Sequence, residues 1–354
     1  MATILTDEGA HEAEASEDLR LKPDDVERVT GWALKPEGMC RGPVCVPLRD
    51  GTGADGRVDL AAFWRHLGNP VLSDKAKRIW VLGTGAEDRN ASLGGLMAPD
   101  VTLPDLDGTP HSLSSLRGKK ILLTTWASWR GCRLDLSVWQ TLFDSLSGEN
   151  FMLVAVAEEG LGPDAARPWI ENATPAYWCL IDREHRVAAL YGMVNVPQCV
   201  WIDETGRIVR GPETTGSTDH FRQMDLATRT LAPELMEARM AARARYMDAV
   251  RDWVRTGRHA RDADAARAAL PRVTAEIARA HAHFRLGTEL RRRGETAEAA
   301  EHLAEASRLH PDSWNMWRQA AEYDTVGGGS GEGFWQRVHG LGDRPYHVPP
   351  DLAG

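Results

Sequence analysis

Residues 121–126, Ile-Leu-Leu-Thr-Thr-Trp, form a short apolar run of the kind buried in a sheet, and a second such run follows at residues 151–157. Between them Leu136, Trp139, Leu142, Phe143 and Leu146 recur at the spacing of one helix face, and Gly148 supplies the stop. Strand, helix and strand in this order make a β-α-β unit, which implies a parallel sheet with a right-handed crossover. This stretch therefore belongs to the α/β class.

The alternation extends in both directions. Downstream, residues 165–172 read as a short helix, 177–181 as a strand, 184–191 as a helix and 198–202 as a strand. Asp203-Glu204-Thr205-Gly206-Arg207 is a turn from which Ile208 and Val209 pair back antiparallel. Upstream, Asp107-Gly108 is a hairpin turn signal, with His111-Ser112-Leu113 on the returning strand. The expected domain is a mixed sheet flanked by helices over residues 97–230.

The chain has 354 residues, too many for one small domain. Residues 1–23 are acidic and predict a disordered tail. They contain neither a basic segment nor an apolar one, so no secretory signal is expected, and no run of about 18 apolar residues predicts a membrane helix. Residues 24–96 predict a small α/β module. In it Leu60, Phe63, Trp64 and Leu67 share a helix face, Asp59 is placed to cap that helix, and residues 78–82 read as a strand. Residues 231–325 predict a helical region whose Leu286, Gly287, Leu290, Ala299, Leu303, Ala306 and Pro311 have the spacing of one tetratricopeptide-like repeat. Residues 326–354, rich in Gly and Pro, predict an extended tail that begins with a flexible linker at Gly327-Gly328-Gly329-Ser330-Gly331.

A net charge of −9 argues against a nucleic-acid partner. Five cysteines at scattered spacing do not make a disulfide framework, and the expected setting is the cytoplasm. No metal site is expected: His281 and His283 have no second pair of ligands, and Cys40 and Cys45 have none either.

The chemistry concentrates where the first apolar strand meets its helix. The sequence there is Trp126-Ala127-Ser128-Trp129-Arg130-Gly131-Cys132-Arg133-Leu134-Asp135. Cys132 falls near a helix N-terminus, between Arg130 and Arg133, and both features stabilise a thiolate. The expectation is an accessible thiol more acidic than the ordinary pKa of about 8.5. Farther along, Val196-Pro197 precedes a strand, as a cis-proline in a tight turn would. Cys179 reads as a small buried hydrophobe. Cys199 lies two residues beyond Pro197, on a strand that starts beside this loop. Cys40-Arg41-Gly42-Pro43-Val44-Cys45 reads either as a redox or resolving pair brought together by a turn, or as two unlinked thiols in a loop.

Residues 98–129, with Cys132-Arg133 and Asp203-Glu204-Thr205-Gly206-Arg207, resemble the thioredoxin-like disulfide reductases of the TlpA and ResA type and the wider AhpC/TSA group. The resemblance implies a thioredoxin-like fold, a Cys-x-x-Cys motif after Trp129, and a cis-proline at Pro197 that receives extended thiol substrates. Matching Cys132 to the second cysteine of that motif leaves Arg130 where the attacking cysteine belongs. The loop is also similar to that of bacterial relatives that carry selenocysteine at this point; Arg130 does not carry that chemistry over.

The expected function is that of a thiol-dependent oxidoreductase with Cys132 as nucleophile, Arg130 and Arg133 tuning it, Trp129 covering it and Pro197 shaping the groove. Its partner would be a thiol or disulfide, on a protein or a small molecule, and no cofactor is implied. One alternative is a peroxiredoxin-like hydroperoxide reductase, although Trp129 stands where such enzymes place Thr. Another is a non-enzymatic scaffold that binds a peptide through the C-terminal helices.

Overall fold

The computed structural model describes residues 1–48, 52, 53, 55–321 and 331–352. The glycine-rich linker expected at 327–331 lies outside them except for Gly331. The chain divides into two compact units. One comprises residues 1–90 with 273–312, the other residues 91–272 with 313–354.

In the first unit, β1 (Ala2–Thr6) and β2 (Gly9–Ala13) form an antiparallel pair, continued by β3 (Val71–Ser73) and β4 (Ile79–Leu82) in the order β2-β1-β4-β3. Residues 1–23 are thus not the disordered tail their acidity suggested. Ile4 and Leu5 point to opposite faces, both buried, while Glu12 is held by the Thr3 hydroxyl at 2.6 Å. Burial of β1 on both faces outweighs the charge of Glu12, which sits on the edge strand β2.

One sheet face, with Ile4, Trp80 and Leu82, packs on Val26, Val29 and Phe63. The other, with Leu5, Ile79 and Val81, packs on Ala282, Leu286, Leu290 and Ala299. Those four residues come from two helices, Ala275–Arg292 and Thr296–Leu309. A Cβ on Gly287 would lie 2.8 Å from Leu303 Cγ, so this glycine lets the two helices approach. Their apolar stripe, expected to be open to a peptide, is spent on the sheet.

The second unit is built on a five-stranded sheet of β5 (Lys120–Trp126), β6 (Phe151–Glu158), β7 (Trp178–Asp182), β8 (Cys199–Ile202) and β9 (Ile208–Glu213). The order is β7-β6-β5-β8-β9; the first three strands are parallel and the last two antiparallel. This is the mixed sheet of the thioredoxin-like fold. Helices α1 (Leu136–Ser145), α2 (Pro163–Ala173) and α3 (Arg186–Tyr191) supply the crossovers. Trp126, Trp139 and Leu153 fill one face; Leu123, Val154 and Tyr191 fill the other.

The helical region does not form one block. Helix α4 (Pro233–Thr256) lies on the second unit's sheet, with Tyr246, Val250 and Trp253 in the same cluster as Trp201. Lys120 Nζ caps its end through the carbonyls of Trp253 and Val254, both at 2.9 Å. The tail is not extended either: α6 (Glu332–His339) carries Phe334 and Val338 into a cluster with Tyr346, joined by Trp314 of α5 (Trp314–Ala320). Those aromatic side chains, spaced irregularly among glycines and prolines, find in that cluster the burial that sequence periodicity did not signal. Among the described residues no helix is long and apolar enough to cross a membrane.

Candidate active site

The carboxyl ends of β5 and β6 carry the loop that the sequence marks, as is usual for sites on such sheets. β5 ends on Trp126, fully buried, so the next residues turn over the sheet edge. Ser128 ties the turn down: its N–H (3.3 Å) and its hydroxyl both donate to Glu159. Arg130 is extended, and residues Gly131–Asp135 form one 3-10 turn leading into α1.

Cys132 lies in that turn. It is 5% exposed, with its sulfur 3.9 Å from the Ala127 carbonyl. The expectation of an accessible, acidic thiol is therefore corrected. Burial pushes the thiol up to about 12; Arg130 acts to lower it, and Asp135 adds to the rise. Desolvation outweighs the cation because both act on the charged form and the sulfur has almost no water.

The cover over the loop comes from the end of the chain. The Arg130 guanidinium donates through Nη2 to the Val196 carbonyl at 3.2 Å and through Nη1 to the Tyr346 hydroxyl. Arg318 Nη2 donates to the same hydroxyl at 3.4 Å, and that hydroxyl donates to Asn195 Oδ1 at 3.1 Å. Arg318, on α5, is 1% exposed and stacks over Trp129 (5.5 Å) and Phe334 (4.3 Å). The Asp219 carboxylate anchors this segment by accepting the N–H groups of Tyr346 and His347, both at 2.7 Å.

Asp135 closes the inner side. It pairs with Arg243 of α4 at 2.7 Å. Burial raises its carboxyl to about 6, with Arg243 and Arg239 opposing. Because the unfolded value is about 3.9, this group favours folding fully below pH 4 and loses that contribution as pH rises through 6. Asp135→Asn should remove this slope. The wild-type-minus-variant difference in urea unfolding free energy should fall by about 2 kcal/mol between pH 4 and pH 7; a flat difference would contradict the burial.

The other residues selected from sequence are placed as follows. Trp129 is buried beneath Arg318. Arg133 turns from the thiol to stack on Trp169 at 4.5 Å, and its Nη1 donates to the Arg130 carbonyl. The Val196-Pro197 bond is cis. Cys179 is buried on β7, its thiol raised to about 12 by burial. Cys199 is fully buried, 2.8 Å from the Tyr246 hydroxyl, and burial raises it further. Cys40 and Cys45 are joined in a disulfide, facing each other across an antiparallel pair of strands. They belong to the first unit and Cys132 to the second. Among the described residues no group of three His, Cys, Asp or Glu could hold a metal.

Sequence reasoning missed Tyr346, Arg318, Asn195 and the buried pair Glu158–His185 (3.2 Å), to which Asn315 also donates at 2.8 Å. Asn195, beside the expected cis-proline, was the one with a signal. The others come from segments with no motif.

The AhpC/TSA family model matches residues 95–210. Thiol-disulfide oxidoreductase ResA of Geobacillus thermodenitrificans is 28% identical over 139 residues, which are 38% of this chain and 78% of that protein. Thioredoxin-like protein YneN of Bacillus subtilis is 30% identical over 119 residues, 32% of this chain and 68% of that protein. The crystal structure of a thiol:disulfide interchange protein of the thioredoxin family from Chlorobium tepidum is 21% identical; it covers 33% of this chain and 87% of that one, with a TM-score of 0.29.

Proposed function

The chain belongs to the thioredoxin-like redoxin (AhpC/TSA) family, and from that premise we propose that it is a thiol-disulfide oxidoreductase working through the single thiol of Cys132. The Cys132 thiolate attacks one sulfur of a disulfide substrate. A mixed disulfide forms on Cys132 and the other sulfur leaves as a thiolate. A second thiol, from the low-molecular-weight pool, then attacks the mixed disulfide and returns Cys132 to its reduced form. The two electrons come from the donor thiols. The setting we propose is the cytoplasm, where such thiols are abundant.

The observation that carries this reading is the charge held against Cys132. A structural thiol is served by apolar packing. Here Arg130 lies two residues before Cys132 and opposes the rise that burial causes, and the Arg318 guanidinium stacks over Trp129 of the same loop. In the closed chain burial keeps the thiol protonated. Displacing the Tyr346 segment admits water and removes that rise, while Arg130 stays on the loop. Trp129 and Pro197 then frame the opening. With Cys40 and Cys45 joined to each other, the resolving thiol comes from solution.

The test is exposure of the reduced chain to hydroxyethyl disulfide, with peptide mapping of the adducts. Cys132 should be modified before Cys179 and Cys199. Modification of all three only on unfolding would reject the oxidoreductase and leave a binding scaffold.

A further inference from the structure

In the first unit, β4 runs parallel to β1, and its carboxyl end passes through Gly83-Thr84-Gly85 directly into a helix, Ala86–Gly94. Open α/β sheets bind ligands at such strand ends. Both glycines are set by close approach. A Cβ on Gly83 would lie 2.8 Å from Pro70 Cγ, and one on Gly85 would lie 2.7 Å from Asn69 Oδ1. Thr84 ties the turn to the end of β1 through its hydroxyl, which donates to Asp7 Oδ2 at 2.6 Å.

The turn borders a cleft of about 700 Å³, a size that takes a small organic molecule. Asn69 lines it and is only 7% exposed. Its oxygen accepts the Gly85 N–H at 2.7 Å, which fixes the amide and leaves Nδ2 as the remaining donor. Among the described residues Nδ2 has no hydrogen-bond partner, and it is not sealed from the cleft. A buried donor held in this way is met by an acceptor from outside the chain.

The groups around Asn69 are of two kinds. The N–H groups of Ala86, Glu87 and Asp88, in the first turn of the helix, have no carbonyl of their own helix to bond, and that helix end is positive. Arg65, His66 and Arg279 line the same cleft. Together with Asn69 these are donors suited to a phosphate. The Glu87 and Asp88 carboxylates also open onto the cleft and oppose a bare anion. Carboxylates accept hydroxyl groups. A ligand that satisfies both kinds carries a phosphate at one end and sugar hydroxyls at the other.

We propose that this cleft binds a sugar phosphate, free or as part of a mononucleotide, with its phosphate on Asn69 Nδ2, the helix start and the two arginines. Every residue of the site belongs to the first unit, so the inference goes beyond the thiol chemistry of Cys132 and does not depend on it.

The test is calorimetric titration of the full chain with ribose 5-phosphate, AMP, ribose and inorganic phosphate. One molecule of ribose 5-phosphate or of AMP should bind per chain, and ribose should bind at least about tenfold more weakly, the scale of one hydrogen bond to a charged group. Equal affinity for the two phosphate compounds assigns a sugar phosphate, and tighter binding of AMP assigns a mononucleotide. Asn69→Asp keeps the acceptor for the Gly85 N–H but replaces the donor with a negative charge, and should weaken binding by about tenfold or more. Arg65→Gln with Arg279→Gln, both at exposed positions, should do the same. The two variants alter different walls, so either one that unfolds in urea as the wild type does is sufficient. Cys132→Ser should bind as the wild type does, whatever its exchange activity. Inorganic phosphate binding as tightly as both phosphate compounds, affinities unchanged in the variants, or no binding of either compound overturns the proposal.

Discussion

Replacing Glu213 with Ala is expected to destabilise the second unit by about 3–5 kcal/mol, the cost of stripping one partner from a buried ion pair. Glu213 accepts from Arg210 Nε and Nη2, each at 3.0 Å, and from the Tyr246 hydroxyl at 3.0 Å. Arg210 is 2% exposed, so loss of the carboxylate leaves a buried guanidinium facing the His259 and Asp351 carbonyls and the Trp201 ring. Tyr246 meanwhile receives Trp201 Nε1 at 2.8 Å and touches Cys199 at 2.8 Å, which fixes α4 against β8.

Glu213→Gln retains the shape and one acceptor and should cost about half as much. Exchanging both members, Arg210→Met with Glu213→Leu, should cost less than Glu213→Ala, because no charge is left buried and alone. Urea unfolding measures all three. A Glu213→Ala cost under about 1 kcal/mol would mean that the ion pair is not buried as described. The consequence for the site is direct, since β8 begins two residues after Pro197 and α4 supplies Arg243 to Asp135.

The thioredoxin-like unit was legible because its signals are local. Apolar strands, a helix face at Leu136, Trp139 and Leu142, and the Asp203–Arg207 turn each lie within one element, and the element order then limits the topology. The redox loop was legible as a sequence of residue types, but its environment was not. The thiol's acidity was read from two neighbouring arginines and a helix start, all within four residues of Cys132. What decided it was burial in a cluster that also takes in Val196, Tyr246 and Trp253, far along the chain from Cys132.

The same distinction explains the N-terminus. Acidic composition suggested disorder, whereas β1 is held by Ile4 and Leu5 alternating between two buried faces, one of them built by helices beginning at Ala275. No window of local sequence contains that contact. The tetratricopeptide-like spacing likewise marked a helical pair, and could not reveal that its apolar stripe is used within its own unit.

The central claim is that Cys132 carries thiol-disulfide exchange and that the C-terminal cover holds it dormant. Exchange follows the thiolate fraction. With the thiol raised to about 12 in the closed chain, the wild-type rate should climb about tenfold per pH unit from pH 7 to 9 with no plateau. Removing the cover takes away the desolvation and leaves Arg130. Tyr346→Ala should therefore be faster by about tenfold or more at pH 7.5, and its rate should level off at or below about pH 8.5, the ordinary thiol value. Exchange through Cys40 and Cys45 would not respond in this way, and the double Cys40→Ser, Cys45→Ser variant should keep the full rate. The deciding measurement is catalysed exchange between glutathione and hydroxyethyl disulfide, followed for the wild type, Tyr346→Ala, and each with Cys132→Ser added. The account predicts that Cys132→Ser abolishes the catalysed rate in both backgrounds; a rate that survives in either would contradict it.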